Sequence, residues 1–548
     1  MQITTGPDRR NVLLGMAATG LAACATTPGP SDPLVARVKQ GAVRGAVERE
    51  VLAFKGVPYG APTGGAGRFM PPKPAASWSG VRDTLAWGAN APQVPIARYA
   101  VLESWDAGFD AVPQSEDCLV LNVWTPKLRD GKARPVMFYL HGGGFHGRSG
   151  SRDCFNGANL ARLYDVVVVT INQRLNLFGY GYFAHLDPRI ADSGNAGTLD
   201  SILALEWVRD NIAEFGGNPG SVTIFGQSGG GAKVTTLLGS PAAQGLFHRA
   251  IVQSGPMLLG AQKEDAGERA NAFLRSLNLP ATAQGVAQLQ QMPMTEVVAG
   301  LVRAGRTNYS DRSHAPVVDG RTLPSGPFWP GAPEMSKGVP IMVGTTKTET
   351  TMLTAASDAT VFTMDEARMK TMLRTYVAAD KIDATVAEFR ATRPQATPAD
   401  IFFAISTTRR FRQIAVTQAE LRAKQAGGAP VWLYEIAWKT PVDGGKWGSP
   451  HSMDHGMTFH NLEGGETMYG ETPELARMAE QVAPTWVAFA RNGNPNNPAI
   501  PNWPAYDAQA KPTMVFDLQS ALVNNLRPRD MAAVADMPVL GERGGIRV

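Results

Sequence analysis

Ser228 stands in the pentapeptide Gly226-Gln227-Ser228-Gly229-Gly230, and the chemistry such a serine could do is nucleophilic attack on an acyl carbon. A hydroxyl used in that way must project above a sheet edge from a strained strand-to-helix turn, which flanking side chains would obstruct. Glycines on both sides remove the obstruction. With 58 glycines in 548 residues the pentapeptide alone is weak evidence, and a plain Gly-rich loop is the competing reading. Its context favours the nucleophile: the β-branched run from Val222 to Phe225 enters the turn, and Ala232 to Leu238 carries a helical pattern out of it.

A second Gly-rich stretch, His141-Gly142-Gly143-Gly144-Phe145, follows an apolar run ending at Leu140. Strand-turn-helix hydrolases place the backbone donors of an oxyanion hole at such a site. The amides of Gly143 and Gly144, with that of Gly229 just past the serine, are the candidate donors. A phosphate-binding loop is the alternative, but no G-x-x-x-x-G-K-[ST] pattern is present. A serine also needs a base, and in this architecture the acid and then the histidine follow the serine along the chain. Of the eight histidines, five come after Ser228: His248, which follows too soon for an intervening acid, and His314, His451, His455 and His460. His314 leaves little room for an intervening acid, and composition does not separate the other three.

The elements that must hold these residues are legible in the first half of the chain. Val136 to Leu140 and Val166 to Ile171 read as buried strands, and Ile202, Leu205, Val208, Ile212 and Phe215 fall at helical spacing before Gly216-Gly217-Asn218-Pro219 stops them. Such alternation predicts an α/β protein with a large, mostly parallel sheet flanked by helices. A 44% hydrophobic and 18% charged composition is that of a globular chain. No linker, charge run or repeat divides it after residue 31, so residues 31–548 are expected to form one domain. Helical patterns in 256–338 and 351–427 are read as cap insertions over a gorge. There Phe328, Trp329, Met352, Phe402 and Phe403 either line an acyl or alcohol pocket or belong to the core. The net charge of +4 is dispersed, which argues against a nucleic-acid partner.

Residues 1–30 read as an export signal and short tether. Arg9-Arg10 precedes a weakly apolar run in the manner of a twin-arginine signal, and Leu21-Ala22-Ala23-Cys24 is similar to a lipoprotein cleavage site with Cys24 lipidated. An ordinary secretory signal is the alternative. The expected location is periplasmic, membrane-anchored through that lipid, or secreted. Cys118 and Cys154 remain in the mature chain, either bonded or as two buried thiols. They lack metal-ligand spacing, so no structural metal is expected.

The residues resemble the type-B carboxylesterase family, related to cholinesterases and including bacterial para-nitrobenzyl esterases, from about Val43 to Asp517. The blocks that carry the resemblance are Gly56-Val57-Pro58-Tyr59, Ser115-Glu116-Asp117-Cys118-Leu119-Val120-Leu121-Asn122-Val123, His141 to Phe145, Asn211 to Pro219, Ala250 to Gly255 and Trp503-Pro504-Ala505-Tyr506. It implies an α/β-hydrolase fold and a Ser228, Glu349, His451 triad, with His455 at an ordinarily apolar position. It also implies a carboxylic ester hydrolase that needs no cofactor and takes a small-molecule ester. Amide or carbamate hydrolysis would use the same machinery, and a non-catalytic binding module is the reading from another class. Ser254 matches a serine near the acid. Gln227 stands where many relatives carry Glu, and Ala91 where they often carry the cysteine that partners the equivalent of Cys118. No counterpart of a cholinesterase cation site is evident, which favours a neutral ester.

Overall fold

The computed structural model describes residues 32–94, 104, 111–305 and 314–539. The expected export segment, with Cys24, lies outside the described residues. Apolar runs buried on both faces have no reason to alternate with polar residues, and the runs noted above form the middle of one eleven-stranded sheet. Its strands are β1 Ala46–Glu48, β2 Val51–Pro58, β3 Val120–Thr125, β4 Arg134–Leu140, β5 Val167–Ile171 and β6 Gly217–Gln227. They continue with β7 Arg249–Gln253, β8 Ile341–Thr346, β9 Val431–Ile436, β10 Pro512–Phe516 and β11 Ala521–Asn524. Across the sheet the order is β11-β10-β9-β8-β7-β6-β4-β5-β3-β2-β1. Every pair from β10 to β5 is parallel, and the outer pairs are antiparallel.

Successive side chains on a strand point to opposite faces, and the sheet therefore has two cores. Met137, Tyr139, Phe225 and Ile251 pack on one side with Trp486 and Phe489 of α4 (Pro473–Asn492). Val136, Phe138, Ile224 and Val252 face the other, against Ile202 and Leu205 of α1 (Ala196–Asn211) and Ile414 and Ala419 of the helix Gln413–Lys424. Cys154 belongs to the first core and Cys118 to the second, which explains why both are free, buried thiols.

Two local differences from the sequence pattern have physical causes. β6 begins at Gly217 rather than Val222, and its pairing with β4 shifts register between Arg134 and Val136, in the irregular stretch that includes Pro219. Proline lacks the ladder N–H and is tolerated at such an irregularity. Helix α2 (Gly229–Leu238) begins three residues before Ala232. Glycine is a poor helix former, but here the sheet crowds the first turn: a Cβ on Gly230 would fall 1.9 Å from the Leu140 carbonyl oxygen.

The segment 256–338 contains helices Lys263–Ser276, Ala283–Gln291 and Met294–Arg303, with their own small core around Phe273, Leu289 and Val297. The segment 351–427 contains Glu366–Leu373, Ile382–Ala391, Pro398–Thr407 and Gln413–Lys424, the last packed on β8 and β9. Met352, Phe402 and Phe403 belong to the first core and Phe328 to the second, against which Trp329 packs half-buried.

Candidate active site

In parallel sheets, sites form beyond the carboxyl ends of the strands, and that edge carries every candidate. The loop after β4 holds Gly143 and Gly144, and the turn after β6 holds Ser228. Glu349 lies just past β8, and His451 follows β9. Ser228 sits at φ 58°, ψ −124°, a strained backbone that costs about 1–3 kcal/mol and persists only where neighbours hold it. Its N–H donates to the Gln253 carbonyl at 2.8 Å, and its carbonyl accepts from the Ala232 N–H at 3.0 Å. From Val222 to Ser240, Ser228 alone is not buried. Gly143 and Gly144 are likewise the half-buried pair between buried Gly142 and Phe145.

Glu349 is fully buried. Its Oε1 accepts from the Thr346 amide at 2.8 Å, and its Oε2 lies 2.5 Å from His451 Nδ1. A carboxylate at Nδ1 fixes the tautomer with the proton on that nitrogen and leaves Nε2 as the free base. Nε2 is 3.3 Å from Nε2 of Gln227, the residue preceding the serine, which sets the imidazole against the turn. The other histidines are elsewhere. His455 packs edge-on to Phe155 at 4.9 Å, His460 meets the Tyr164 hydroxyl at 2.9 Å, and His314 lies against His146. The structure thus brings Ser228, Glu349 and His451 to one edge and leaves His455 and His460 out.

The candidate oxyanion loop is held by its carbonyls. The Gly142 carbonyl meets His141 Nδ1 at 2.8 Å, and that of Gly143 accepts from the His146 and Gly147 amides at 3.2 Å each. Because a trans peptide points its N–H opposite to the preceding carbonyl, these bonds orient the Gly143 and Gly144 amides. Among the described residues neither amide, nor that of Gly229, is spent on a hydrogen bond. Burial, reinforced by the Lys233 charge, pushes His141 well below the usual imidazole range. A neutral ring fits its contact at Nε2 with the Gln173 carboxamide, 2.9 Å away.

Three participants were missed in the sequence. Gln227, read as a missing charge, also contacts the His451 ring directly and accepts from Ser452 Oγ at 3.4 Å. Asp454 opens helix α3 (Asp454–Phe459), is fully buried, and accepts from Gln253 Nε2 at 2.7 Å. Burial, opposed by that hydrogen bond and reinforced by the nearby Glu349 charge, pushes its carboxyl up to about 6. Lys233 is buried inside α2, and desolvation brings its ammonium down to about 7. The signal for Lys233 was available: it is the one charged residue in an otherwise small and apolar helix. Among the described residues Ser254 makes no hydrogen bond to the acid: its Oγ is buried without a partner, while its amide donates to the Gly344 carbonyl at 2.8 Å. Among the described residues no group of His, Cys, Asp and Glu side chains is arranged to hold a metal ion.

A mostly parallel sheet with a strained strand-turn-helix serine at its carboxyl edge defines an α/β-hydrolase. The carboxylesterase family model matches residues 32–534, and the chain belongs to that family. It is 32% identical over 504 residues to the para-nitrobenzyl esterase of Bacillus subtilis, covering 90% of this chain and 96% of that protein. Among solved structures, a Geobacillus stearothermophilus carboxylesterase is 33% identical with a TM-score of 0.78, covering 91% of this chain and 99% of the other. An esterase from Clostridium hathewayi that can hydrolyse aliphatic aromatic polyesters is 30% identical, with a TM-score of 0.74, covering 91% and 97%. The protein is a carboxylic ester hydrolase.

Proposed function

We propose that the protein cleaves neutral small-molecule esters through an acyl-enzyme on Ser228. The observation that carries this reading is the buried Glu349–His451 pair, whose Nε2 abuts the residue preceding the strained serine. His451 Nε2 takes the hydroxyl proton as Ser228 Oγ bonds to the ester carbon. The same proton then goes to the departing alkoxide, which leaves as alcohol. Glu349 holds the tautomer and stabilises the imidazolium. The amides of Gly143, Gly144 and Gly229 receive the oxyanion, each worth ~3 kcal/mol in such sites. Water, deprotonated by His451, then attacks the acyl-enzyme, the Ser228–acyl bond breaks as the imidazolium returns that proton to Ser228 Oγ, and the carboxylic acid is released.

The neutral carboxamide of Gln227 beside the imidazole supports a neutral rather than a cationic substrate. A panel of chromogenic esters varied in acyl length and alcohol bulk, with matched amides and carbamates, tests the assignment. Turnover of esters above the other classes, abolished in Ser228→Ala, is expected. Preference for the amides or carbamates would overturn it. The N-terminal pattern supports export, with Cys24 as the candidate anchor. Fractionation with fatty-acid labelling tests that, and a Cys24→Ala variant that still takes up label would contradict it.

A further inference from the structure

We infer that Lys233 is a positioning residue that staples the oxyanion loop to the nucleophile helix. The inference rests on the acyl-transfer reading above. Lys233 Nζ donates to the His141 carbonyl at 2.8 Å and to the Gly144 carbonyl at 3.1 Å. Those two carbonyls bracket the Gly142 and Gly143 carbonyls, which other groups already hold. All four peptide planes from His141 to Gly144 are therefore fixed, the outer two by one side chain. The stem of that side chain springs from α2, whose first residue is Gly229, so one helix carries the third oxyanion donor and the clamp on the two peptides that flank the other two donors.

The clamp and the donors are also in direct contact. Gly144 lies so close to Gly229 that a Cβ there would fall 2.1 Å from the Gly144 carbonyl oxygen, the same oxygen that Lys233 grips. A shift of the loop by a few tenths of an ångström would misdirect donors whose value depends on aim. The placement is also hard to explain as a device for stability. Among the described residues no carboxylate pairs with Lys233, and a buried ammonium met by two carbonyls and the Phe145 ring, 5.5 Å from Nζ, is a costly occupant of a core. An apolar side chain of similar length would be the more stable choice, and here that preference is overridden at a buried position that reaches both carbonyls.

The test is Lys233→Met, which keeps the length and removes the donors, with Lys233→Gln as the partner variant that retains an amide donor. For Lys233→Met we expect kcat to fall about 10- to 100-fold with KM within about threefold and Tm unchanged or raised. The inhibition constant of a trifluoromethyl ketone, which forms a tetrahedral adduct, should rise by the same factor as kcat falls. Lys233→Gln should recover part of both. If Lys233→Met fails to fold, Lys233→Gln decides alone through the proportionality of kcat and the inhibition constant. Activity and ketone affinity within threefold of the parent would overturn the inference, as would lost activity with unchanged ketone affinity. Failure of the acyl-enzyme reading looks different, because the parent protein itself would then form no adduct at Ser228.

Discussion

Replacing Gln227 by glutamate puts a carboxylate where a neutral carboxamide now lies 3.3 Å from His451 Nε2. Both side chains are nearly fully buried, so the charge would act through protein rather than bulk water. At an effective dielectric of 20 and a separation of about 4 Å, the attraction between that carboxylate and an imidazolium is about 4 kcal/mol, against about 1 kcal/mol in water. Desolvation of the new carboxylate and its repulsion by Glu349 reduce the gain, leaving an effect of roughly 1–2 pH units. Stabilising the imidazolium makes the free base available only at higher pH. The acid limb of kcat/KM is therefore expected to move upward by that amount in Gln227→Glu, with the plateau at high pH changed less than the limb. The assay is kcat/KM for a p-nitrophenyl ester from pH 4.5 to 9 at constant ionic strength. A limb that stays within 0.3 unit, or moves to lower pH, would refute the reasoning that the Gln227 position tunes the base.

Glu349→Gln keeps the volume but loses the carboxylate that holds the tautomer, and kcat should drop by about 10³- to 10⁴-fold with a small change in KM, read by steady-state kinetics. Asp454 titrates near 6 in the folded chain against an ordinary aspartate value of 3.8. Folding therefore favours its protonated form, so that stabilisation is complete below pH 3.8 and is lost as pH rises through 6. A rise of that size corresponds to roughly 3 kcal/mol. Asp454→Asn should accordingly raise Tm at pH 8 and much less at pH 4, and thermal melts at both pH values check the sign. Gly230→Ala drives a methyl to 1.9 Å from the Leu140 oxygen and should cost more than about 2 kcal/mol of stability. A denaturant midpoint equal to the parent's would contradict it.

How much of this was readable in advance depends on chain distance. The serine turn and the Gly-rich loop are local, so Gly226 to Gly230 and His141 to Phe145 could be singled out as candidates, and the β-branched runs around them predicted the parallel sheet. Glu349 and His451 are 102 residues apart in sequence and 2.5 Å apart in space. Spacing carries no information about such a pair, and only the resemblance to a family selected them from among the later acids and histidines. Lys233 was missed for a different reason: a lysine in a helical pattern is ordinarily solvent-facing, and although its apolar helix signalled burial, nothing local reveals which carbonyls it would meet there. The aromatic residues Phe402 and Phe403 were ambiguous between pocket and core because apolar character is the same in both, and packing decided for the core.

The central claim is that Ser228 carries the acyl group, and mass spectrometry of the intact, purified protein tests it most directly. After incubation with a fluorophosphonate, one adduct per chain is expected, mapped by peptide fragmentation to Ser228, absent from Ser228→Ala and matched by loss of ester turnover. An adduct on another residue, or ester turnover that survives in Ser228→Ala, would contradict the account.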